Sequence, residues 1–332
     1  MPIHDLGYRG WQGKRLPAWT HWLVIAGTGI KIALRSQWIR RTVLLSWMPA
    51  FTLAVVFFAY EQANENQVLQ RAPSEEIMLR SLRNSPLQMD PDLEVLVRGL
   101  RNSDVSEGRH MVWSWLFTSF FKYSQGAMML LLVGLIAPPL ISKDVRTRAF
   151  LMYFSKPIGR LEYILGKISV PAFFVAGITI IPGMLLYVFG VLLAPDFSVV
   201  LDTWDMPLRI VAASLVTILP TCSLALMFSS LTSESRFAGF AWFAMWTLGG
   251  GAWLIIYFVL EEQARIKEMN LMHVDSNFSM LSLYHTIGKA QRWIFGLEPN
   301  FLEVLPSLGL LAGLTVFALL VLWRRVSAPI RV

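Results

Sequence analysis

The hydrophobic residues of this chain are concentrated in six long blocks, which polar segments separate. A helix needs about 20 apolar residues to cross the roughly 30 Å of bilayer hydrocarbon. Lys122 and Arg209 are the only formal charges within the six blocks, which cover residues 43–60, 113–141, 168–194, 207–231, 237–260 and 304–323. Each block is therefore predicted to be a transmembrane helix.

The composition agrees with this pattern. Hydrophobic residues make up 55% of the 332 residues and charged residues 15%, whereas a soluble domain carries about a quarter charged residues. Within hydrocarbon, a segment satisfies its backbone either as a helix or inside a closed barrel. A barrel needs strands of about ten residues with alternating polarity, and no such pattern occurs. The predicted fold class is all-α, a polytopic membrane protein with six transmembrane helices.

The charges are sorted by side of the membrane. The N-terminus, the loops 142–167 and 232–236 and the C-terminal tail together hold 17 Lys and Arg but 4 Asp and Glu. The loops 61–112, 195–206 and 261–303 hold 10 basic and 18 acidic residues. Because basic residues accumulate on the cytoplasmic side, we expect both termini in the cytoplasm and the protein in a cell (inner) membrane. The net charge of +7 follows from this sorting, so no nucleic-acid partner is expected.

The segment 19–42 precedes the first block and has helical periodicity. Ala26, Ile30, Leu34 and Trp38 recur every four residues, which places them on one helical face. The basic residues Lys31, Arg35, Arg40 and Arg41, with Trp38, would anchor a helix that lies in the cytoplasmic interface. The alternative is that this segment extends the first span. The predicted organisation is thus a cytoplasmic N-terminus with the interfacial helix (1–42), the six-helix domain (43–323) and a cytoplasmic tail (324–332).

The external loops contain predicted helices of their own. In loop 61–112 one short helix starts near Pro73, and a second starts at Asp90-Pro91, where Asp serves as the cap and Pro takes the first helical position. This loop forms either a small extracytoplasmic surface for a partner or a solvated connector. In loop 261–303, residues 281–295 could form another helix lying in the interface.

The loop between the second and third spans is the most informative segment. Residues 141–167 read ISKDVRTRAFLMYFSKPIGRLEYILGK. A basic helix with an apolar side that includes Ala149, Phe150, Tyr153 and Phe154 would end at Ser155-Lys156-Pro157, because the residue before proline resists helical geometry. A second helix would then run into the third span. Such a hairpin can dock in a groove of a soluble partner as one rigid unit.

This segment resembles the cytoplasmic loop of ABC-2 type transporter permeases, particularly the NosY-like group. The matching positions are Ser155, Lys156, Pro157, Ile158, Arg160, Tyr163, Gly166 and Lys167, with Lys156 where the group tends to have Arg and Gly159 where it has Ser. The turn 229–236, SSLTSESR, also resembles the turn between spans four and five of the family.

The resemblance implies a transmembrane permease subunit of an ABC transporter. Two six-span subunits would pair, as a homodimer or with a second permease, and two copies of a separate ATPase would dock beneath them. The contacts to the ATPase would come from Asp144, Arg146, Arg148, Phe150, Tyr153, Ser155, Lys156, Pro157, Ile158, Arg160 and Tyr163. Export is the direction that the family implies.

This chain has no nucleotide-binding signature of its own. It contains no Gly-x4-Gly-Lys-Ser/Thr phosphate loop, so ATP and Mg would be held by the partner ATPase, and this chain is expected to bind no cofactor and to catalyse no reaction. The single cysteine, Cys222, cannot form a disulfide within the chain. No Cys or His cluster has metal-ligand spacing, so no metal site is predicted.

Several residues within the spans could act as hinges or border a translocation path. Pro138, Pro139, Pro171, Pro182 and Pro220 can kink helices, and the run Gly249-Gly250-Gly251 allows close helix approach. The alternative is that they serve packing alone.

Two other functions are compatible with a six-span protein. A secondary carrier that works without ATP would need buried ionisable groups or inverted repeats, and neither is visible in the sequence. A membrane scaffold that recruits partners through loop 61–112 would need neither a coupling loop nor kinked spans.

Overall fold

The structure is a computed structural model, and it describes residues 20–65, 96–100, 105–149, 158–194, 199–266 and 278–327. Six helical segments are long and apolar enough to cross a membrane, which confirms the six predicted spans. We number them spans 1 to 6, and they cover Gln37–Gln62, Ser106–Arg146, Arg160–Leu193, Val199–Leu231, Ser235–Val259 and Phe301–Val326. No strand occurs in the described parts of the chain, so the protein is an all-α, multi-pass membrane protein.

Twelve α-helices are labelled here in chain order. The first six are α1 (His21–Leu34), α2 (Gln37–Ser46), α3 (Met48–Glu65), α4 (Val105–Ser119), α5 (Gly126–Ile136) and α6 (Pro138–Arg146). The others are α7 (Arg160–Leu193), α8 (Val199–Asp202), α9 (Met206–Leu231), α10 (Ser235–Ile266), α11 (Leu283–Ile294) and α12 (Phe301–Ser327). We call the end of the bundle that carries 142–149, 158–160, 232–235 and 324–327 the basic end.

The segment before the first span is two helices rather than one. Ser36 takes an extended conformation with φ −72° and ψ 124°, which separates α1 from α2 and makes α2 the beginning of span 1. A helix distinct from the span is therefore present, but it ends at Leu34 instead of continuing to residue 42. We call the bend around Ser36 the elbow.

Helix α1 packs lengthwise against the start of α7. A Cβ added to Gly29 would lie 2.5 Å from Cγ2 of Val170, and one added to Gly166 would lie 2.7 Å from Cβ of Ile25. These two glycines allow the close approach of the helices, because any larger residue would collide. Nδ1 of His21 also lies 3.2 Å from Oε2 of Glu162. The helix pair runs in parallel, since His21 lies near Glu162 and Gly29 near Val170.

Span 2 is interrupted twice along its length. Residues Phe120–Gln125 form a π-helix between α4 and α5, and π-helices widen one turn so that a backbone carbonyl loses its usual partner. Tyr284 donates its hydroxyl to the carbonyl oxygen of Lys122, in this turn, at 2.7 Å. The second interruption is at Ala137, where α5 ends and α6 begins.

Helix α11 packs inside the bundle, contrary to the prediction of a helix lying in the interface. Nε2 of Gln291, in α11, donates a hydrogen bond to Oγ1 of Thr217, in span 4, at 2.9 Å. Both side chains are buried. Leu281 lies just before α11, and Gly249 lies in span 5. A Cβ added to Gly249 would lie 2.8 Å from the carbonyl oxygen of Leu281. We call residues 278–294, which contact spans 4 and 5 within the bundle, the re-entrant segment.

Candidate functional site

The site that the sequence predicted lies where span 2 leaves the bundle at the basic end. Helix α6 starts with Pro138 and Pro139 at its first two positions, where proline is favoured because the first amides of a helix have no partner within it. We call α6, the turn that follows it, the start of α7 (160–167) and the 229–235 turn the basic-end junction.

Ser229 at the end of span 4 forms three hydrogen bonds with the start of α6. Its Oγ accepts hydrogen bonds from the backbone amides of Ile141 and Ser142, both at 3.1 Å, and it donates to the carbonyl oxygen of Pro138 at 2.6 Å. The hydroxyl of Ser142 lies 2.8 Å from that of Ser235, at the start of span 5. One end of α6 is therefore held by spans 4 and 5 through side chains that are buried or nearly so.

A buried ion pair holds the other side of α6 against span 3. Nζ of Lys167 lies 2.6 Å from Oδ2 of Asp144 and donates to the carbonyl oxygen of Leu140 at 2.7 Å. Tyr163, which is fully buried, donates its hydroxyl to the same carboxylate oxygen at 2.7 Å. The side chains of Lys167 and Asp144 are only 10% and 15% exposed, so their attraction is weakly screened by water.

The turn that ends α6 is closed by two backbone hydrogen bonds. The amide of Ala149 donates to the carbonyl of Asp144 at 2.9 Å, and the amide of Arg148 donates to that of Val145 at 3.3 Å, which is the Schellman pattern. Arg148 has φ +53°, a left-handed conformation in which glycine is usual and other residues are strained. Arg148 is exposed at the tip of this turn.

The outer face of the junction carries exposed cations. Lys143, Arg146 and Arg148 are exposed. Arg146 forms an ion pair with Glu234 across the 229–235 turn, with Nη1 and Oε1 3.7 Å apart and both side chains more than a third exposed. Such surface pairs contribute little to stability. Polar groups inside the junction therefore hold α6 in place, and the cations outside it remain accessible to a partner.

The structure divides the predicted contact residues into three groups. Arg146 and Arg148 are exposed, Ile158 and Arg160 are half-buried, and Asp144 and Tyr163 belong to the internal network. The remaining predicted residues lie outside the described part of the chain: Phe150, Tyr153, Ser155, Lys156 and Pro157.

The predicted apolar face continues only as far as Leu34 on α1, because Trp38 lies on α2. Ala26 is buried and Ile30 is half-buried, but Leu34 and Trp38 are 42% and 70% exposed. The bend at Ser36 turns α2 away from the axis of α1, so the four-residue spacing does not continue through it. The predicted basic anchors Lys31, Arg35, Arg40 and Arg41 are all exposed around the elbow.

The predicted hinge residues occupy different environments. Pro138 and Pro139 begin α6, whereas Pro171, Pro182 and Pro220 are buried inside continuous helices. Gly249 faces the re-entrant segment, while a Cβ added to Gly250 or Gly251 would meet nothing within 4 Å.

The sequence interpretation missed two charged or polar clusters. Buried Glu61 and Arg109 lie 3.6 Å apart at the end of the bundle opposite the basic end, and Trp113 donates to Oε1 of Glu61 at 3.2 Å. A small cavity in the middle of the bundle is bordered by Lys122, Gln125 and Gln291, among others. The only sequence signal for either cluster is a polar residue inside or next to an apolar block.

Comparison with known proteins extends over nearly the whole chain. A family model described as ABC-2 family transporter protein matches residues 23–327, which include all six spans, the elbow and the basic-end junction. No curated protein matches the sequence. Within the described residues, no group of three or more His, Cys, Asp or Glu side chains is placed to hold a metal ion.

Proposed function

Because the chain belongs to the ABC-2 family of transporter proteins, and is thus the membrane permease component of an ABC transporter, we propose that its basic-end junction is where the ATPase subunit docks and moves the spans. Two such permeases, identical or different, form the translocation path, and two ATPase subunits bind beneath them. ATP-driven closure of the ATPases moves the path between inward-facing and outward-facing states and exports the substrate.

This proposal is supported by the arrangement of the junction, in which exposed cations lie on the outer side of α6 and buried polar contacts lie on its inner side. The cations Lys143, Arg146 and Arg148 face outward, where they supply charge complementarity to an acidic groove of the ATPase. On the inner side, Asp144 and Ser142 connect α6 to three different spans. A force applied to α6 therefore reaches spans 3, 4 and 5 through buried hydrogen bonds rather than being lost in a mobile loop.

The orientation in the membrane supports the same assignment. The basic end holds the excess of Lys and Arg, so it is the cytoplasmic end by the positive-inside rule, and the ATPases work in the cytoplasm. The permease itself supplies no phosphate loop. Both chain termini are then cytoplasmic, in a cell (inner) membrane.

Orientation is tested by labelling a single cysteine. Cys222 is the only cysteine of the chain and it is buried, so a Cys222→Ala background leaves no competing thiol. In that background Lys143→Cys introduces one exposed thiol at the junction. A membrane-impermeant maleimide is expected to label it in inside-out vesicles and not in right-side-out vesicles. Labelling from the outer side alone would place the junction away from the ATPase and refute the proposal.

Coupling is tested by removing the outward-facing cations. The full chain carries a tag, and the measured quantities are the amount of a co-purifying subunit with a phosphate-loop sequence and its ATP hydrolysis in proteoliposomes. Lys143→Ala/Arg146→Ala/Arg148→Ala is expected to reduce the bound ATPase at least about tenfold, since charge pairs at an interface contribute about 1.5 kcal/mol or more each.

The matched control changes cations at the same end of the bundle. Arg324 and Arg325 are exposed in the last turn of α12, and Arg324→Ala/Arg325→Ala is expected to leave ATPase binding unchanged. Equal losses in the control and in the junction variant would mean that general positive charge, and not the junction, attracts the ATPase. No loss in the junction variant would refute docking at this site.

A further inference from the structure

The elbow between α1 and α2 carries the most concentrated unpaired charge of the described chain segments. Lys31 and Arg35 lie at the end of α1, and Arg40 and Arg41 lie in the first turns of α2; all four are exposed. The sequence contains no Asp or Glu between residues 6 and 60, and none of the four cations forms an ion pair with the described part of the chain. A formal charge of +4 therefore stays uncompensated within 11 residues.

The backbone adds donors at the same place. Helix α2 has ten residues, its N-cap Ser36 makes no side-chain capping hydrogen bond, and its first turn contains no acidic residue. The first amides of a helix have no partner within it and carry a partial positive charge. Together with Arg40 and Arg41, these amides form a set of donors that suits the oxygens of a phosphate group.

The depth of the elbow points to a lipid rather than to a soluble anion. Arg41 and Glu61 enclose 19 uncharged residues, and a helix of 20 residues is about 30 Å long, which is the thickness of the hydrocarbon core. Glu61 lies at the opposite end of the bundle, so Arg41 lies at the membrane surface near the basic end. Here the cations alternate with large apolar side chains that are more than 60% exposed, Ile32 and Trp38.

The elbow is also held in position by the bundle. The close contacts of Gly29 with Val170 and of Gly166 with Ile25 fix α1 on α7, and buried Ile39 fixes α2 in the core. The cations are therefore presented by two anchored helices, and a ligand does not have to order the backbone, which is the main cost of binding to a disordered basic segment.

We infer that the elbow binds the phosphate headgroup of an anionic phospholipid, with Lys31, Arg35, Arg40, Arg41 and the free amides of α2 around the phosphate and with Trp38 beside the acyl chains. Anionic lipids attract cations near the membrane surface by about 1 kcal/mol per Lys or Arg. This binding does not depend on the ATPase, so its test is separate from the test of coupling.

The experiment is a lipid titration of the purified full chain in a neutral detergent, read by native mass spectrometry. Phosphatidylglycerol is expected to bind at least about tenfold more tightly than phosphatidylcholine. Arg40→Gln/Arg41→Gln is expected to lower the phosphatidylglycerol affinity by about thirtyfold and to leave the phosphatidylcholine affinity unchanged. Arg40→Lys/Arg41→Lys keeps the charge on which the attraction to an anionic lipid depends, so we expect it to retain the affinity within about threefold.

The control variant is Arg324→Gln/Arg325→Gln, which removes the same charge at the end of α12, where no helix N-terminus is present. It is expected to keep the phosphatidylglycerol affinity within about twofold. The inference is overturned if the two lipids bind equally, or if the control loses as much affinity as the elbow variant. It is also overturned if inorganic phosphate displaces the lipid, because the elbow would then be a site for free anions.

Discussion

Replacing Lys167 by Met is expected to destabilise the protein far more than any exposed charge change at the basic end. Its Nζ lies 2.6 Å from Asp144, and its removal leaves a carboxylate that has little contact with water. Breaking a buried ion pair from one side costs about 3–5 kcal/mol. Because Tyr163 still donates a hydrogen bond to Asp144, we expect the lower end of this range, about 3 kcal/mol.

A double-mutant cycle separates the ion pair from the other effects of the substitution. The free energy of unfolding of the full chain is measured in mixed micelles for Lys167→Met, for Asp144→Asn and for the double variant. In the double variant neither charge is left unpaired. Its loss of unfolding free energy is therefore expected to be smaller than the sum of the losses in the two single variants by about 1.5–3 kcal/mol.

Arg146 is the matched control, because it lies on α6 with Asp144 and also forms an ion pair. Its side chain is 55% exposed and 3.7 Å from Glu234, so Arg146→Ala is expected to cost less than about 1 kcal/mol. Two results would refute the role of a buried pair in holding α6 to span 3. One is a double variant whose loss of unfolding free energy equals the sum of the single losses within about 0.5 kcal/mol. The other is an equal loss for Arg146→Ala and Lys167→Met.

Three further outcomes are expected, each measured as a thermal-unfolding midpoint of the full chain. Ser229→Ala removes the three hydrogen bonds between span 4 and α6 and is expected to cost about 1–3 kcal/mol; an unchanged midpoint would show that water replaces the hydroxyl. Arg148→Gly relieves a left-handed backbone and is expected to gain about 1 kcal/mol, whereas Arg148→Ala is expected to gain nothing. Gly249→Ala places a methyl group against the backbone oxygen of Leu281 and is expected to lower the midpoint. Gly250→Ala meets open space and is expected to stabilise the protein by up to about 1 kcal/mol. A change of the midpoint in the same direction for both variants would contradict the close contact.

The positions of the six spans could be predicted because the signal for a span is local. A block of about 20 apolar residues is stable in hydrocarbon only as a helix, whatever surrounds it. Each of the six predicted blocks lies within an observed span or exceeds it by one residue, and the fold class follows from them. The observed helices extend past the blocks at both ends of the bundle, as in α7, which starts at Arg160, and α10, which ends at Ile266, because beyond the membrane a helix can continue through polar residues.

The pairing of the junction residues could not be predicted in the same way. Asp144 and Tyr163 were expected to contact the ATPase because both lie in the loop that resembles the family. The side of a helix that faces the bundle depends on how the helix is rotated against its neighbours. Asp144 and Tyr163 are also 19 residues apart in the chain, so no local pattern pairs them. Lys167 was a matching position in the motif, but nothing in the sequence indicates that its ammonium group turns back to Asp144.

By itself, then, the sequence determined how many times the chain crosses the bilayer and where its basic residues accumulate, since both depend on the composition of single segments. Only the tertiary structure decided that Ser229 forms hydrogen bonds with α6, that the elbow bends at Ser36, and that α11 enters the bundle beside Gly249. Each of these features depends on contacts between segments that are distant in the chain or on a backbone bend, and such contacts leave no periodic pattern in either partner.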